Sequence, residues 1–245
     1  MQIKLNAFRI VEDDGTENPY TVSEDQEHVT FAGKLNQEIY NSDYIQFNTH
    51  HDSDKTERLN EIRSNFIKMI PGMDKGRTLL DYGYGNGAFL DYMSRNRKNG
   101  LLLRGYDLSN QHGADPYRGR RSLIHEVVIF ENMPTKDNDI VTMFDVLEHI
   151  PNPCKFILDI RPKAFVITIP LFHREWINNL IMFANWKHRK PVEHIHHWTE
   201  KGLDDLMISC DYKKIGGLYS ENYIRKTTQS GYPDNNVYTG IYVHV

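Results

Sequence analysis

Several absences narrow the reading before any motif is considered. The 245-residue chain has only two cysteines, Cys154 and Cys210. They stand in neither a metal-binding nor a redox spacing, so a reducing, cytoplasmic setting is expected. No apolar run reaches the ~18 residues that would suggest a membrane span. The first ten residues lack the long apolar core of a secretory leader. Positive charge is not in excess: 29 Lys and Arg face 33 acids, for a net charge near −4. That balance does not favour a nucleic-acid surface. A chain of this length can bury a full core and forms one domain, or one domain with an extension.

What is present is concentrated in Arg77 to Leu90, R-T-L-L-D-Y-G-Y-G-N-G-A-F-L. Thr78, Leu79 and Leu80 read as the end of a buried strand closed by Asp81. Gly83, Gly85 and Gly87 make a tight turn, and Ala88, Phe89, Leu90 and Met93 resume with helical spacing. Glycine has no Cβ, so such a turn lets a bulky ligand lie against bare backbone, at the start of a helix whose first N–H groups are unpaired. No G-K-S/T follows, which excludes a phosphate-gripping P-loop. An acid before the first glycine repels a pyrophosphate and attracts a cationic amine, favouring an amino-acid-bearing nucleoside over a dinucleotide. Leu101 to Tyr106 is a second short strand ended by Asp107, 20 residues after Gly87. An acid there can accept both ribose hydroxyls.

A third element is Asp139 to Ile150, D-I-V-T-M-F-D-V-L-E-H-I, followed by Pro151-Asn152-Pro153. Together these stretches resemble class I S-adenosylmethionine-dependent methyltransferases, in the small-molecule branch that holds ubiquinone-pathway O-methyltransferases and many sugar or lipopolysaccharide-cluster enzymes. Glu193-His194-Ile195-His196-His197-Trp198-Thr199 is similar to a segment common in the latter. The resemblance runs from about residue 60 to the C-terminus. It implies an α/β, Rossmann-like seven-stranded sheet with helices on both faces and an antiparallel seventh strand. It also implies S-adenosyl-L-methionine as cofactor, with Asp81, Gly83, Gly85 and Gly87 on the methionine part and Asp107 on the ribose. Asn132 is expected beside the adenine, and Phe144 and Asp145 on the cofactor side. Tyr84 departs from the usual cysteine or serine.

Along the chain, residues 1–55 read as an N-terminal extension: a short strand within Met1 to Val11, a loop from Glu12 to Gln26, and Val29 to Phe31 pairing back. This segment is a lid, a surface decoration or a homodimer contact. Residues 56–245 form the methyltransferase domain. Thr56 to Met69 is a helix stopped by Pro71-Gly72, with His50 and His51 just ahead of it. Leu123 to Phe130, Ile140 to Phe144 and Ala164 to Ile169 are strands. An insertion over the substrate site spans about 171–198 and holds an apolar helix from Trp176 to Phe183. Thr199 caps the next helix. Tyr212 to Ile215 is a strand broken by Gly216-Gly217, and Tyr223 to Arg225 and Val237 to Val245 complete the sheet.

Five of the twelve histidines fall between His173 and His197, a density that core packing does not explain. If the acceptor is a hydroxyl or an acidic carbon, a base near neutral pKa helps. His194 or His197 is expected as that base, with His149 behind it or on the substrate. Asp145, Glu148 and His149, D-x-x-E-H, look like the E-x-x-E-H metal cluster of some ubiquinone-pathway and small-RNA 2'-O-methyltransferases. Aspartate in the first place argues against it, and no metal is expected. The expected reaction is methyl transfer to oxygen or carbon of a small polar acceptor, a sugar or nucleotide sugar whose phosphate Lys187, Arg189 and Lys190 can meet. The alternatives are a quinone-precursor phenol, a metal-assisted RNA 2'-O-methyltransferase, and a non-catalytic binding protein of the same fold.

Overall fold

The computed structural model describes residues 6–35, 53–72, 76–96, 100–108, 127–134, 138–225 and 236–245. His50, His51 and the first part of the expected strand at 123–130 lie outside them. Strands β4 (Thr78–Tyr82), β5 (Leu102–Tyr106), β6 (Val127–Phe130), β7 (Ile140–Phe144), β8 (Ala164–Pro170), β10 (Tyr212–Leu218) and β11 (Val237–His244) form one sheet in the order β10-β11-β8-β7-β4-β5-β6. The five strands from β8 to β6 run parallel, and β11 is antiparallel to both β8 and β10. The expected seven-stranded sheet with its antiparallel seventh strand is therefore present.

Parallel strands covered on both faces must be apolar throughout, because successive side chains point to opposite sides. All seven residues of β8 are buried. Leu79, Ile140 and Val166 meet Phe66, Ile67 and Leu90 on one side. Leu80, Val141, Phe165 and Ile167 meet Ile157, Leu203 and Met207 on the other. Those partners come from helices α1 (Ser53–Lys68) and α2 (Ala88–Arg95) on the first face, and α3 (Pro153–Ile160) and α5 (Glu200–Ser209) on the second. The thiols of Cys154 and Cys210, remote in sequence, lie 3.3 Å apart between α3 and α5.

The N-terminal residues depart most from expectation. Strands β1 (Ala7–Val11), β2 (Glu17–Val22), β3 (His28–Phe31) and β9 (His196–Trp198) make a second antiparallel sheet in that order. The expected loop at 12–26 thus contains β2, and β3 pairs with β2 and β9 rather than with β1. β2 buries Asn18, Tyr20 and Val22 on one side. Asn18 is polar because it donates to Glu12 at 2.6 Å, and that disguises the alternation. The extension and the insertion share one core: Ile10, Tyr20, Val29 and Phe31 pack with Phe172, Trp176, Phe183 and Trp186. We call this layer the roof.

Three further differences follow from local chemistry. The apolar run at 176–183 splits into a 3₁₀ turn, Arg174–Ile177, and a short helix α4, Leu180–Ala184. β10 continues through both glycines to Leu218, with a register shift between Lys214 and Gly216. A Cβ on Gly217 would lie 1.8 Å from the Tyr238 hydroxyl, so glycine there admits a ring rather than ending the strand. Tyr223 to Arg225 is not a strand but part of helix α6, Asn222–Arg225.

Candidate active site

The glycine turn links β4 to α2 at the carboxyl end of the sheet. Gly83, Gly85 and Gly87 have φ of 75°, 55° and 75°, the left-handed region that side chains resist. A Cβ on Gly83 would meet Val146 at 2.4 Å, whereas one on Gly85 would meet nothing within 4 Å. Gly83 is therefore required by packing, and Gly85 presents bare backbone to open space. The Gly85 N–H donates to Asp107 Oδ2 at 2.8 Å, so the acid at the end of β5 also holds the turn. Tyr84 points away from that space and is 5% exposed. Its ring has room because the neighbouring position on β5 is glycine: a Cβ on Gly105 would come within 2.9 Å of it.

Asp81 lies beneath the turn, buried, and accepts from Thr142 Oγ1 at 2.7 Å. Burial pushes its carboxyl up to about 7. Phe144 stands edge-on to Phe89 at 4.9 Å, under the Arg63 guanidinium. Asn132 is exposed just past β6. A cradle open at Gly85, with a carboxylate at its edge, fits a nucleoside with two ribose hydroxyls.

Asp145 has φ 57° and ends β7. Its carboxylate is held by Arg225 at 2.6 Å and by Arg63 at 3.8 Å. Both arginines also pair with the fully buried Glu221, Arg63 at 2.8 Å and Arg225 at 2.5 Å. Burial alone would raise Asp145, but the two arginines outweigh it and hold it near 2. Two cations and two anions close on each other, which is how such charges tolerate burial. Sequence reading found none of Arg63, Glu221 and Arg225: the last two are only four residues apart, but nothing local ties them to Arg63 or Asp145.

Beyond Asp145 a 3₁₀ turn, Leu147–His149, brings Glu148 and His149 up against His194. A ligand-type atom from each of these three lies within 4.8 Å of the others. Glu148 is 1% exposed and neither carboxylate oxygen has a partner. Burial, and then the charge of Asp145, raise its pKa well above the usual carboxylate range. The His149 Nδ1 lies 2.9 Å from the Glu193 carbonyl, which makes Nδ1 the donor and Nε2 the lone-pair nitrogen. Burial lowers His149 to about 4 and His194 well below its ordinary value. The His194 Nδ1 and the nearby His188 Nε2 are buried without a partner. His188 was missed in the sequence, where it reads as part of a basic cluster.

The structure separates His197 from this group. Its Nε2 donates to the Arg189 carbonyl at 2.8 Å, and its ring faces Tyr20, Phe183 and Trp186 in the roof. His196 bonds to His28 at 3.0 Å, also in the roof sheet. Arg189 does not face a phosphate site. It is buried and bound to Glu12 at 2.6 Å and to the Tyr20 hydroxyl at 3.2 Å. Lys190 pairs with Glu193 at 3.2 Å.

The strand order and the glycine turn define a class I S-adenosylmethionine-dependent methyltransferase fold. The chain belongs to the Methyltransferase domain family, which matches residues 52–215. Among curated proteins it is similar to the ubiquinone biosynthesis O-methyltransferase of Idiomarina loihiensis, 23% identical over 158 residues, covering 59% of this chain and 60% of that one. The counterpart in Pasteurella multocida is 24% identical over 210 residues, 71% of this chain and 84% of that one. Among solved structures, a SAM dependent methyltransferase from Aquifex aeolicus superposes with a TM-score of 0.56 at 13% identity, over 82% and 97% of the two chains. S-adenosylmethionine is the cofactor that this family and fold take. No described helix is long and apolar enough to cross a membrane.

Proposed function

We propose that the protein transfers a methyl group from S-adenosylmethionine to an oxygen of a small polar acceptor, a quinone-precursor phenol in preference to a sugar. The observation that carries the transfer itself is the bare backbone at Gly85 beside Asp107. In this reading Asp107 takes the ribose hydroxyls, the glycine turn and Asp81 hold the methionine end, and Phe144 and Asn132 flank the base. The bound cofactor supplies an electrophilic methyl on a sulfonium. The protein's own part is to align the acceptor with it and exclude water, which the roof above the rim is placed to do. The curated relatives are O-methyltransferases of ubiquinone biosynthesis, and that favours the phenol. The sugar reading loses support because Arg189 and Lys190 are engaged within the protein. The same engagement weakens the RNA reading.

The acceptor's proton decides between two versions of the chemistry. An imidazole at about 4, as His149 is, is ~6 units too acidic to take a proton from an ordinary phenol near 10, an uphill transfer of roughly 8 kcal/mol. A divalent cation at Glu148, His149 and His194 fits the donors better. Two neutral imidazoles and a carboxylate suit such an ion, and Glu148 otherwise has no partner. The aspartate that argued against a metal is committed to Arg63 and Arg225, and three ligands assemble without it. There the ion would supply Lewis acidity toward the acceptor oxygen. Chelator-stripped protein titrated with zinc or manganese is expected to take up one ion, with uptake lost in Glu148→Gln. Uptake unchanged in that variant, or none by the wild type, would return Glu148 to the role of a buried protonated acid.

The main reading is tested by incubating the protein with S-adenosylmethionine and either a dihydroxybenzoate or a nucleotide sugar, with product mass as the readout. A gain of one methyl on the phenol is expected. Methylation of the sugar alone would reverse the order of the two acceptors, and demethylated cofactor without any methylated acceptor would refute both.

A further inference from the structure

Cys154 and Cys210, 56 positions apart in the chain, meet where α3 packs against α5. Cys154 is the second residue of α3 and is half-buried, whereas Cys210 caps the end of α5 inside the core. The sulfurs are 3.3 Å apart, with the Cys210 thiol donating to Cys154 Sγ. The Cys154 carbonyl and the Ser209 hydroxyl lie 3.8 Å from the same thiol. Cys210 therefore turns its S–H toward Cys154, although most of its surroundings are apolar.

Two thiols in contact can share a metal or an oxidant. A metal needs further ligands. Among the described residues, the group of three that could supply them is Glu148, His149 and His194, and it includes neither cysteine. Oxidation needs nothing more than the pair. A disulfide brings its sulfurs to about 2.05 Å, so each has to move by well under an ångström, within reach of small rotations about the two Cα–Cβ bonds. The two cysteines are also unequal. Burial pushes the Cys210 thiol up to about 11, so it stays protonated at neutral pH and is a poor first nucleophile. The partly open Cys154 is the one that a small oxidant can reach.

We propose that Cys154 and Cys210 form a reversible disulfide when the protein meets a peroxide. The Cys154 sulfur attacks one peroxide oxygen and the O–O bond breaks. The hydroxide that leaves takes the Cys154 proton to make water, and Cys154 becomes a sulfenic acid. The Cys210 sulfur then attacks the Cys154 sulfur and the S–O bond breaks. The Cys210 proton leaves with that hydroxyl as a second water. Two thiols are oxidised by two electrons, and one peroxide is reduced to two waters. In a reducing setting the thiols are the resting form, and a disulfide of this kind is transient and redox-sensing. The bridge closes a loop that carries β8, the insertion and β9. It restricts the unfolded chain, so the oxidised protein is the more heat-resistant form. This assignment is independent of the methyl acceptor.

The test starts from reduced wild-type protein freed of dithiothreitol and treated with hydrogen peroxide. The protein is then unfolded in iodoacetamide and weighed by mass spectrometry. Untreated protein is expected to take up two alkyl groups. Treated protein is expected to remain a monomer, lose two hydrogens and take up none, and dithiothreitol is expected to restore both sites. Oxidation is expected to raise the unfolding midpoint by about 5–10 °C. Cys210→Ser is expected to stop at a Cys154 sulfenic acid that dimedone captures, and Cys210→Ala gives the same readout should serine disturb the core. Cys154→Ser is expected to leave the Cys210 thiol unoxidised. Two alkylated thiols after peroxide would overturn the assignment. So would oxygen added to Cys154 with Cys210 still alkylated, or a disulfide joining two copies of the chain.

Discussion

Replacing Asp107 by alanine is expected to weaken S-adenosylhomocysteine binding about a hundredfold, and replacing it by asparagine about tenfold. The two substitutions separate two duties of one side chain. The Asp107 carboxylate accepts from the Gly85 N–H, and in the proposed complex it also accepts from the ribose. A charge-assisted bond contributes about 1.5–3 kcal/mol, roughly twice a neutral one. Asparagine keeps an oxygen for Gly85 and loses the charge. Alanine loses both, and leaves the Gly85 N–H without its acceptor, although Gly83 and Gly87 keep their own backbone bonds to Tyr106 and Tyr84. Titration calorimetry on the wild type and both variants checks this. Affinities within twofold of the wild type for both would show that the nucleoside does not lie over β5.

The second large effect is acid lability of the roof. Burial, and then the charges of His196 and His197, lower His28 to about 3. Burial lowers His197 to about 4, partly offset by its bond to the Arg189 carbonyl. In the unfolded chain both titrate near 6.5. Between that value and about 4 the unfolded chain takes up protons that the folded chain refuses. Stability from these groups is therefore complete above the unfolded pKa and falls as the pH falls. At pH 5 each imidazole costs about 2 kcal/mol, a large share of the 5–15 kcal/mol typical of a domain. Asp81 and Glu148, raised by burial, act in the opposite sense, but they sit below the rim in the main sheet. All three tryptophans, Trp176, Trp186 and Trp198, lie in or beside the roof, so their fluorescence reports it. A red shift between pH 6.5 and 4.5 is expected, ahead of loss of helical signal. Emission that stays unchanged down to pH 4 would show that these imidazoles are not buried neutral.

How far the sequence could be read follows from where each signal resides. The glycine turn and Asp107 are legible because a positive φ, an acid at a strand end and the next helix all lie within a short stretch. β11 is legible from its β-branched and aromatic residues, Val237, Tyr238, Ile241, Tyr242 and Val243. The roof is not, since β3 and β9 are joined only through space, and Asn18 and Pro19 hide the period of β2. The cluster of Glu148, His149 and His194 was half legible: the first two are adjacent, but nothing local distinguishes His194, which joins them, from His197, which turns into the roof. The Arg63, Asp145, Glu221 and Arg225 quartet was not recognised: Glu221 and Arg225 are four residues apart, but their links to Arg63 and Asp145 span most of the chain and carry no spacing signal.

The bond between His28 and His196 joins residues separated by 168 positions. A ribosome adds about 5–20 residues per second, so β3 emerges roughly ten to thirty seconds before β9 exists. For that interval Tyr20, Val22 and Val29 have no apolar cover from the insertion, and one edge of β3 offers its backbone to any passing strand. The roof thus waits for the insertion, and the main sheet waits longer still, until β11 emerges to lie between β8 and β10. The roof's maturation is set by elongation rate and by whatever shields a nascent hairpin, and not by the stability of the finished sheet.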